Sequence, residues 1–180
     1  MTRGNARELA VHLIFSREFT GEEPQQEVAT RLDKDYYEKL ASENDVYAER
    51  PSRKQLAYID QVVGGVANRQ DELNDLIQRY SIGWDISRIS RLSRAVLQLA
   101  MFEIMNVEDV PTGVAINEAV RIAKKYEGED AGPFVNGILG SFARNMGKEE
   151  APAEEQAAPA EEAPEAPAEA EEVPAETEEA

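Results

Sequence analysis

Apolar residues recur at helical spacing along most of this chain, and no stretch alternates apolar and polar over the length of a strand. Ala6, Leu9, Ala10, Leu13 and Ile14 fall on one face of a first helix. Asn5 would cap it, it would run to about Phe19, and Arg3, Arg7 and Arg17 would stay in water. Thr20 to Pro24 reads as a turn. Val28, Leu32, Tyr36 and Leu40 step by four, which predicts a second helix from Glu27 to Glu43, and Asn44 to Pro51 follows as a loop. Ser52 caps a third helix lined by Leu56, Ile59, Val62, Val63 and Val66. Gly64-Gly65 lies inside that pattern although each glycine costs about 1 kcal/mol in a helix interior, so either another helix approaches closely there or the helix bends. The series resumes at Leu73, Leu76, Ile77 and Tyr80.

Ser81 to Asp85 reads as a connection and holds the only tryptophan, Trp84. Ile86, Ile89 and Leu92 make a short helical turn. From Ala95 to Met105 the chain is apolar nearly all round, the mark of a central helix. Val110-Pro111 then ends an extended connection. Thr112 is placed to cap a helix carrying Val114, Ala115, Ala119, Ile122 and Ala123, with Lys124 and Lys125 at the negative end of its dipole and Gly128 to stop it. Gly132-Pro133 opens a last helix bearing Phe134, Val135, Ile138, Leu139 and Phe142. Asn117 and Asn136 interrupt these two helices; they either brace a neighbouring segment or keep a binding surface in shape. The pattern predicts an all-α fold, a compact bundle of six to seven helices with no internal repeat.

Composition divides the chain. Residues 149–180 hold thirteen of its 36 acidic residues, five of its prolines, no basic residue and, as large aliphatic, Val173 alone. Such a stretch buries too little to offset its ordering entropy and is expected to be a disordered acidic tail. Residues 1–148 form the expected domain. The net charge of −17 falls to −4 over that domain, so a basic patch on it must be local. There is no cysteine, hence no disulfide framework or thiolate chemistry. The polar N-terminus is unlike a signal peptide, and no apolar run reaches the roughly 20 residues of a membrane span. A cytoplasmic protein, away from membranes, is expected.

Catalysis finds no footing in the pattern. His12 is the only histidine, a helix-face residue between Val11 and Leu13; no metal-ligand spacing and no phosphate loop appear. The expectation is a protein with no catalytic residue, no metal and no cofactor. Recognition is the class that remains; Arg3 and Arg7, four apart at the start of the first helix, either fork onto phosphates or are an ordinary solvated helix start, which charge alone favours.

The sequences VAINEAVRIAKKY and FVNGIL, at residues 114–126 and 134–139, resemble the C-terminal signature of the NusB family of bacterial transcription antitermination factors. NARELAVHLIFSRE and SRAVLQLAMFEI are similar to the family too, so the resemblance runs in order from Arg3 to Arg144. It implies binding of the single-stranded boxA element of RNA together with NusE, a small-subunit ribosomal protein, within an RNA polymerase antitermination complex that promotes processive transcription of ribosomal RNA operons. Monomers and homodimers both occur in the family. It implies RNA contact at Arg3, Asn5, Arg7, Phe15, Asp130 and Phe134, although Gly4 and Asn5 stand where the family often carries basic residues. Phe134 follows a helix start whose amides point toward anions, and single-stranded RNA is read by stacking bases on aromatic or guanidinium planes; for Phe15 plain core packing competes. Ser93, Arg94, Gln98 and Glu103 are polar interruptions of the central helix and mark the implied partner surface. Two further readings differ in class: a NusB-like accessory module of RNA modification, for which the acidic tail leaves no catalytic domain, and a purely protein-binding adaptor, which would leave no RNA footprint.

Overall fold

The segment from Arg91 to Asn106, apolar on nearly every side, has to be surrounded, and the chain is arranged to do it. The computed structural model describes residues 1–42 and 44–149. Among them are eight α-helices and no strand: α1 Arg3–Thr20, α2 Pro24–Arg31, α3 Lys34–Ala41, α4 Arg53–Asn68, α5 Gln70–Tyr80, α6 Arg91–Asn106, α7 Thr112–Glu127 and α8 Ala131–Glu149. Single 3₁₀ turns lie at Asp45–Tyr47 and Ile86–Arg88. α6 packs against α1, α4, α5, α7 and α8, and buries ten of its residues. The expected acidic tail lies outside the described residues from residue 150 onward.

α1 lies antiparallel to α6, with Arg7 opposite Glu103 at one end and Glu18 opposite Arg94 at the other. α7 folds back on α6, and α8 on α7, so the start of α8 returns to the end of the bundle where α6 begins. Gly128, at φ 90°, ends α7 in a backbone region that a side chain rarely adopts, and this permits the tight return. Gly65 answers the question raised by the paired glycines. A Cβ there would sit 2.0 Å from Cζ of Phe102 on α6, so the ring of the central helix fills its place; at Gly64 a Cβ would meet nothing.

Four local expectations change. The cap of α1 is Thr2, whose hydroxyl accepts from the Asn5 amide at 3.0 Å, and Asn5 lies inside the helix. The expected second helix is two: Asp33 accepts from the amides of Asp35 and Tyr36, which starts α3 afresh and puts Tyr37 rather than Tyr36 in the core. α7 begins one residue after Pro111, with Thr112 as its first helical residue rather than its cap. Val114 remains exposed on its first turn. These splits raise the helix number among the described residues from the six or seven expected to eight.

Candidate nucleic-acid interface

Two pairs of aromatic rings flank the lead-in and first turn of α6. On one side Phe15 meets Phe19 edge to face at 5.1 Å, and the Arg91 guanidinium lies 4.6 Å from the Phe19 centroid. On the other side Trp84 meets Phe134 at 5.6 Å, also edge to face, with Arg88 5.5 Å above the indole. Each pair keeps one ring inward and one outward. Phe15 and Phe134 rest partly on the core, whereas Phe19 is 60 % and Trp84 48 % exposed. Asp130 is exposed in the turn that leads to Phe134. Aromatic planes interleaved with guanidinium groups are what unpaired bases and their phosphates require.

The N-terminal candidates lie at the other end. Arg3 is exposed and reaches the Asp109 carbonyl at 3.4 Å, beside the connection that follows α6. A cleft of about 410 Å³, lined by Arg3, Lys54, Gln55, Tyr58 and Asp109 among others, opens there. Phe134 stands near the start of α6 and Arg3 near its end. Sixteen helical residues, about 24 Å, therefore separate them along the bundle, and α1 with Phe15 bridges the distance.

Arg7 departs from expectation. It is buried, not in water. Its Nε and Nη2 fork onto the Glu103 carboxylate at 2.9–3.0 Å, Tyr58 donates to the same carboxylate at 2.8 Å, and Glu118 lies 3.7 Å from Nη1. Burial opposes the charge, but the bonds and field of Glu103 more than offset it and raise the Arg7 pKa. Arg7 thus presents no open guanidinium to a phosphate. Asn5 is half-buried on the first turn of α1.

The four residues assigned to a partner surface turn inward as well. Ser93 donates its hydroxyl to Glu127, Arg94 forks onto Glu18 at 2.7–3.0 Å, Gln98 donates to Asn74 of α5 at 2.9 Å, and Glu103 holds Arg7. Ser93, Gln98 and Glu103 are buried. A polar side chain in this apolar helix is here a bond between helices. Asn117 and Asn136 are both exposed, on α7 and α8.

Next to Arg7, Glu8 anchors a second buried network that the sequence did not disclose. Its carboxylate accepts from Arg121, Lys125 and Tyr126 of α7. Burial would raise its pKa, and the bonds from Lys125, Tyr126 and Arg121 overcome this and lower it. Because Tyr126 gives its proton to Glu8, its oxygen accepts from Nε2 of His12 at 2.8 Å, and Nδ1 of His12 accepts from Tyr47 at 2.9 Å. His12 is the neutral hub of this chain of bonds. Burial lowers its pKa, against the pull of Glu8, and burial pushes Tyr47 up to about 12. His12 thus ties α1 to Tyr47 and to Tyr126 of α7, and among the described residues no group of histidine and carboxylate side chains could hold a metal ion. No helix among them is long and apolar enough to cross a membrane.

The model of the NusB family matches residues 4–144. The chain belongs to the NusB family. The transcription antitermination protein NusB of Symbiobacterium thermophilum is 37 % identical over 155 residues, 86 % of this chain and 97 % of that protein. That of Acetivibrio thermocellus is 38 % identical over 144 residues, 80 % and 90 % of the two chains. Among solved structures, NusB of T. maritima superposes with a TM-score of 0.60 at 31 % identity, over 80 % of this chain and 92 % of the other. Antitermination factors NusB and NusE in complex with double-stranded RNA include a chain of the same fold, at a TM-score of 0.62 and 22 % identity, over 79 % and 96 %.

The surface residues that sequence reasoning missed are Phe19, Trp84, Arg88 and Arg91. The signal was there: an aromatic and two arginines at intervals of four and three in a short connection, a basic and aromatic interleaving.

Proposed function

We propose that this NusB-family chain is a transcription antitermination factor. It binds single-stranded boxA-type RNA together with NusE and joins RNA polymerase in promoting processive transcription of ribosomal RNA operons. What carries the reading is the match over residues 4–144 and its relatives named transcription antitermination protein NusB. The solved complex of the same fold pairs NusB with NusE and double-stranded RNA, which supports NusE and RNA as the partner classes. The residues supply the chemistry. Phe134 and Phe15 offer ring faces, Arg3 offers an exposed charge for phosphate, and Asp130 and Asn5 border the path. Arg7 acts in this reading by fixing α1 on α6, and Ser93, Arg94, Gln98 and Glu103 by holding the surface of α6 in shape for the partner. The protein performs no catalysis, needs no cofactor and works in the cytoplasm.

Fluorescence anisotropy of a labelled boxA RNA, with and without NusE, tests this. Binding should strengthen when NusE is present. Phe134→Ala should cost about 1–3 kcal/mol of RNA affinity, and Arg3→Ala should reduce the salt slope by about one phosphate. A boxA affinity equal to that of a scrambled RNA, with or without NusE, would refute the assignment.

A further inference from the structure

Beside Phe134, between the end of α5 and the outer face of α8, lies a cleft of about 370 Å³. Tyr80, Ile82, Trp84, Phe134, Gly137 and Arg144 are among its walls. Its volume lies in the range of small-molecule sites. Ile82, at the rim, is 85 % exposed, and the half-exposed indole of Trp84 carries the Arg88 guanidinium over its ring. Arg144 is exposed on the last described turns of α8. Among the described residues that line the cleft none is a carboxylate, although the domain as a whole is acidic.

We propose that this cleft seats a second unstacked nucleobase of the bound RNA, next to the base on Phe134, with Trp84 as its platform and Arg88 and Arg144 as the contacts for its flanking phosphates. The proposal rests on the RNA-binding reading above and adds a site to it. Three observations favour a base over an apolar segment of a protein. The walls combine an indole with two other aromatic rings, and π-faces accept any base. Guanidinium groups border the indole and the far wall, where an apolar peptide would leave them unused and a polyanion would not. Gly137 leaves the floor flat: a Cβ built on it meets no atom within 4 Å, so the space above α8 at that point is open to a ligand and closed to nothing in the fold.

Gly137 also supplies a clean perturbation. Gly137→Leu projects into the cleft from a helical position, favours the helix over glycine, and starts from a Cβ that meets no atom within 4 Å. Trp84 is the only tryptophan of the chain, so intrinsic fluorescence reports on this site alone. The full chain is titrated with a fluorescein-labelled single-stranded boxA RNA, with NusE present. Anisotropy of the label gives total binding, and tryptophan emission is followed in parallel with a NusE variant lacking tryptophan. The expected result is that Trp84 is quenched along the same isotherm as the anisotropy. Trp84→Ala and Gly137→Leu should each weaken binding about tenfold, Trp84→Phe should retain most of it, and the Tm of Gly137→Leu should not fall. Full binding by anisotropy with unquenched Trp84 and wild-type affinity for Gly137→Leu would overturn the second base site and leave the RNA reading intact. Quenching by NusE before any RNA is added, with no further change on adding RNA, would assign the cleft to a protein interface and overturn the proposal as well. An absence of any binding would overturn the RNA reading itself, and this site with it.

Discussion

Glu103→Ala removes the carboxylate that accepts the side-chain hydrogen bonds of the buried Arg7 guanidinium. In the native structure the Glu103 carboxylate is fully buried and takes four hydrogen bonds, three from Nε and Nη2 of Arg7 and one from Tyr58, while the Arg7 side chain is 3 % exposed. Truncation strands a guanidinium in the core. Glu118, 3.7 Å from Nη1 and itself engaged with Arg121, replaces only part of what is lost. Breaking one side of a buried pair costs about 3–5 kcal/mol, which for a domain of this size lowers Tm by roughly 6–20 °C. The double substitution Arg7→Met, Glu103→Leu removes both charges at similar volume, and Tyr58 borders the open cleft at Arg3, where water can satisfy its hydroxyl. Its stability should lie within about 2 kcal/mol of the native protein, or above it. Urea unfolding of Glu103→Ala gives the loss, and that of the native chain, Arg7→Met, Glu103→Leu and the double variant yields the coupling energy directly. A Glu103→Ala loss below about 1 kcal/mol, or a double variant as unstable as the sum of the singles, would refute the picture of a dry, mutually dependent pair.

Stability should fall in acid in two stages. His12 has a lowered folded pKa, so its contribution is complete above the unfolded value near 6.5 and declines as pH drops toward the folded one; Glu8, also lowered, contributes above about 4.3 and loses that contribution as pH falls through its folded pKa. Urea midpoints of the native protein and Glu8→Gln from pH 8 to pH 3 test this, and a variant with the same acid limb as the native protein would contradict it. Gly65→Ala should destabilise by about 1–3 kcal/mol because the new methyl overlaps Phe102, whereas Gly64→Ala should stabilise by up to about 1 kcal/mol; thermal melts that rank the two the other way would disprove the close approach. Truncation after Lys148 should leave Tm unchanged and tighten scrambled RNA more than boxA RNA at low salt, since it removes thirteen carboxylates that compete with phosphate; equal affinities before and after truncation would leave the tail no role in binding.

Helical spacing made the central helix, the α7–α8 pair and the core face of α1 legible, because burial on one side leaves a periodic trace in sequence. Val28, Leu32, Tyr36 and Leu40 left the same trace and misled, since the break between α2 and α3 depends on Asp33 capping two amides, a local event beneath a pattern that runs straight through it. Arg7 and Glu103 were read as surface residues because each is polar on its own helix; that 96 positions separate two halves of one buried pair is invisible to any local window. Phe15 and Phe134 entered as candidates through family resemblance, and the structure leaves both rings partly buried against the core. Trp84, Arg88 and Arg91 left a local trace of interleaved basic and aromatic residues, but their grouping with Phe19 and Phe134 was beyond any local window, because it arises where three distant helix ends meet.

Adjacent residues Arg7 and Glu8 carry opposite charge, and each finds its counter-charges on another helix, at Glu103 on α6 and at Arg121 and Lys125 on α7. These partners are synthesised 96 to 117 residues later. At 5–20 residues per second the ribosome leaves both groups without them for on the order of ten seconds. During that time a nascent α1 has an apolar face to bury but no place where Arg7 and Glu8 could enter a core. The apolar face of α1 has α2 and α4 to pack against before α6 and α7 emerge, whereas the two ion-pair networks of Arg7 and Glu8 are contacts of long sequence separation and correspondingly slow to form.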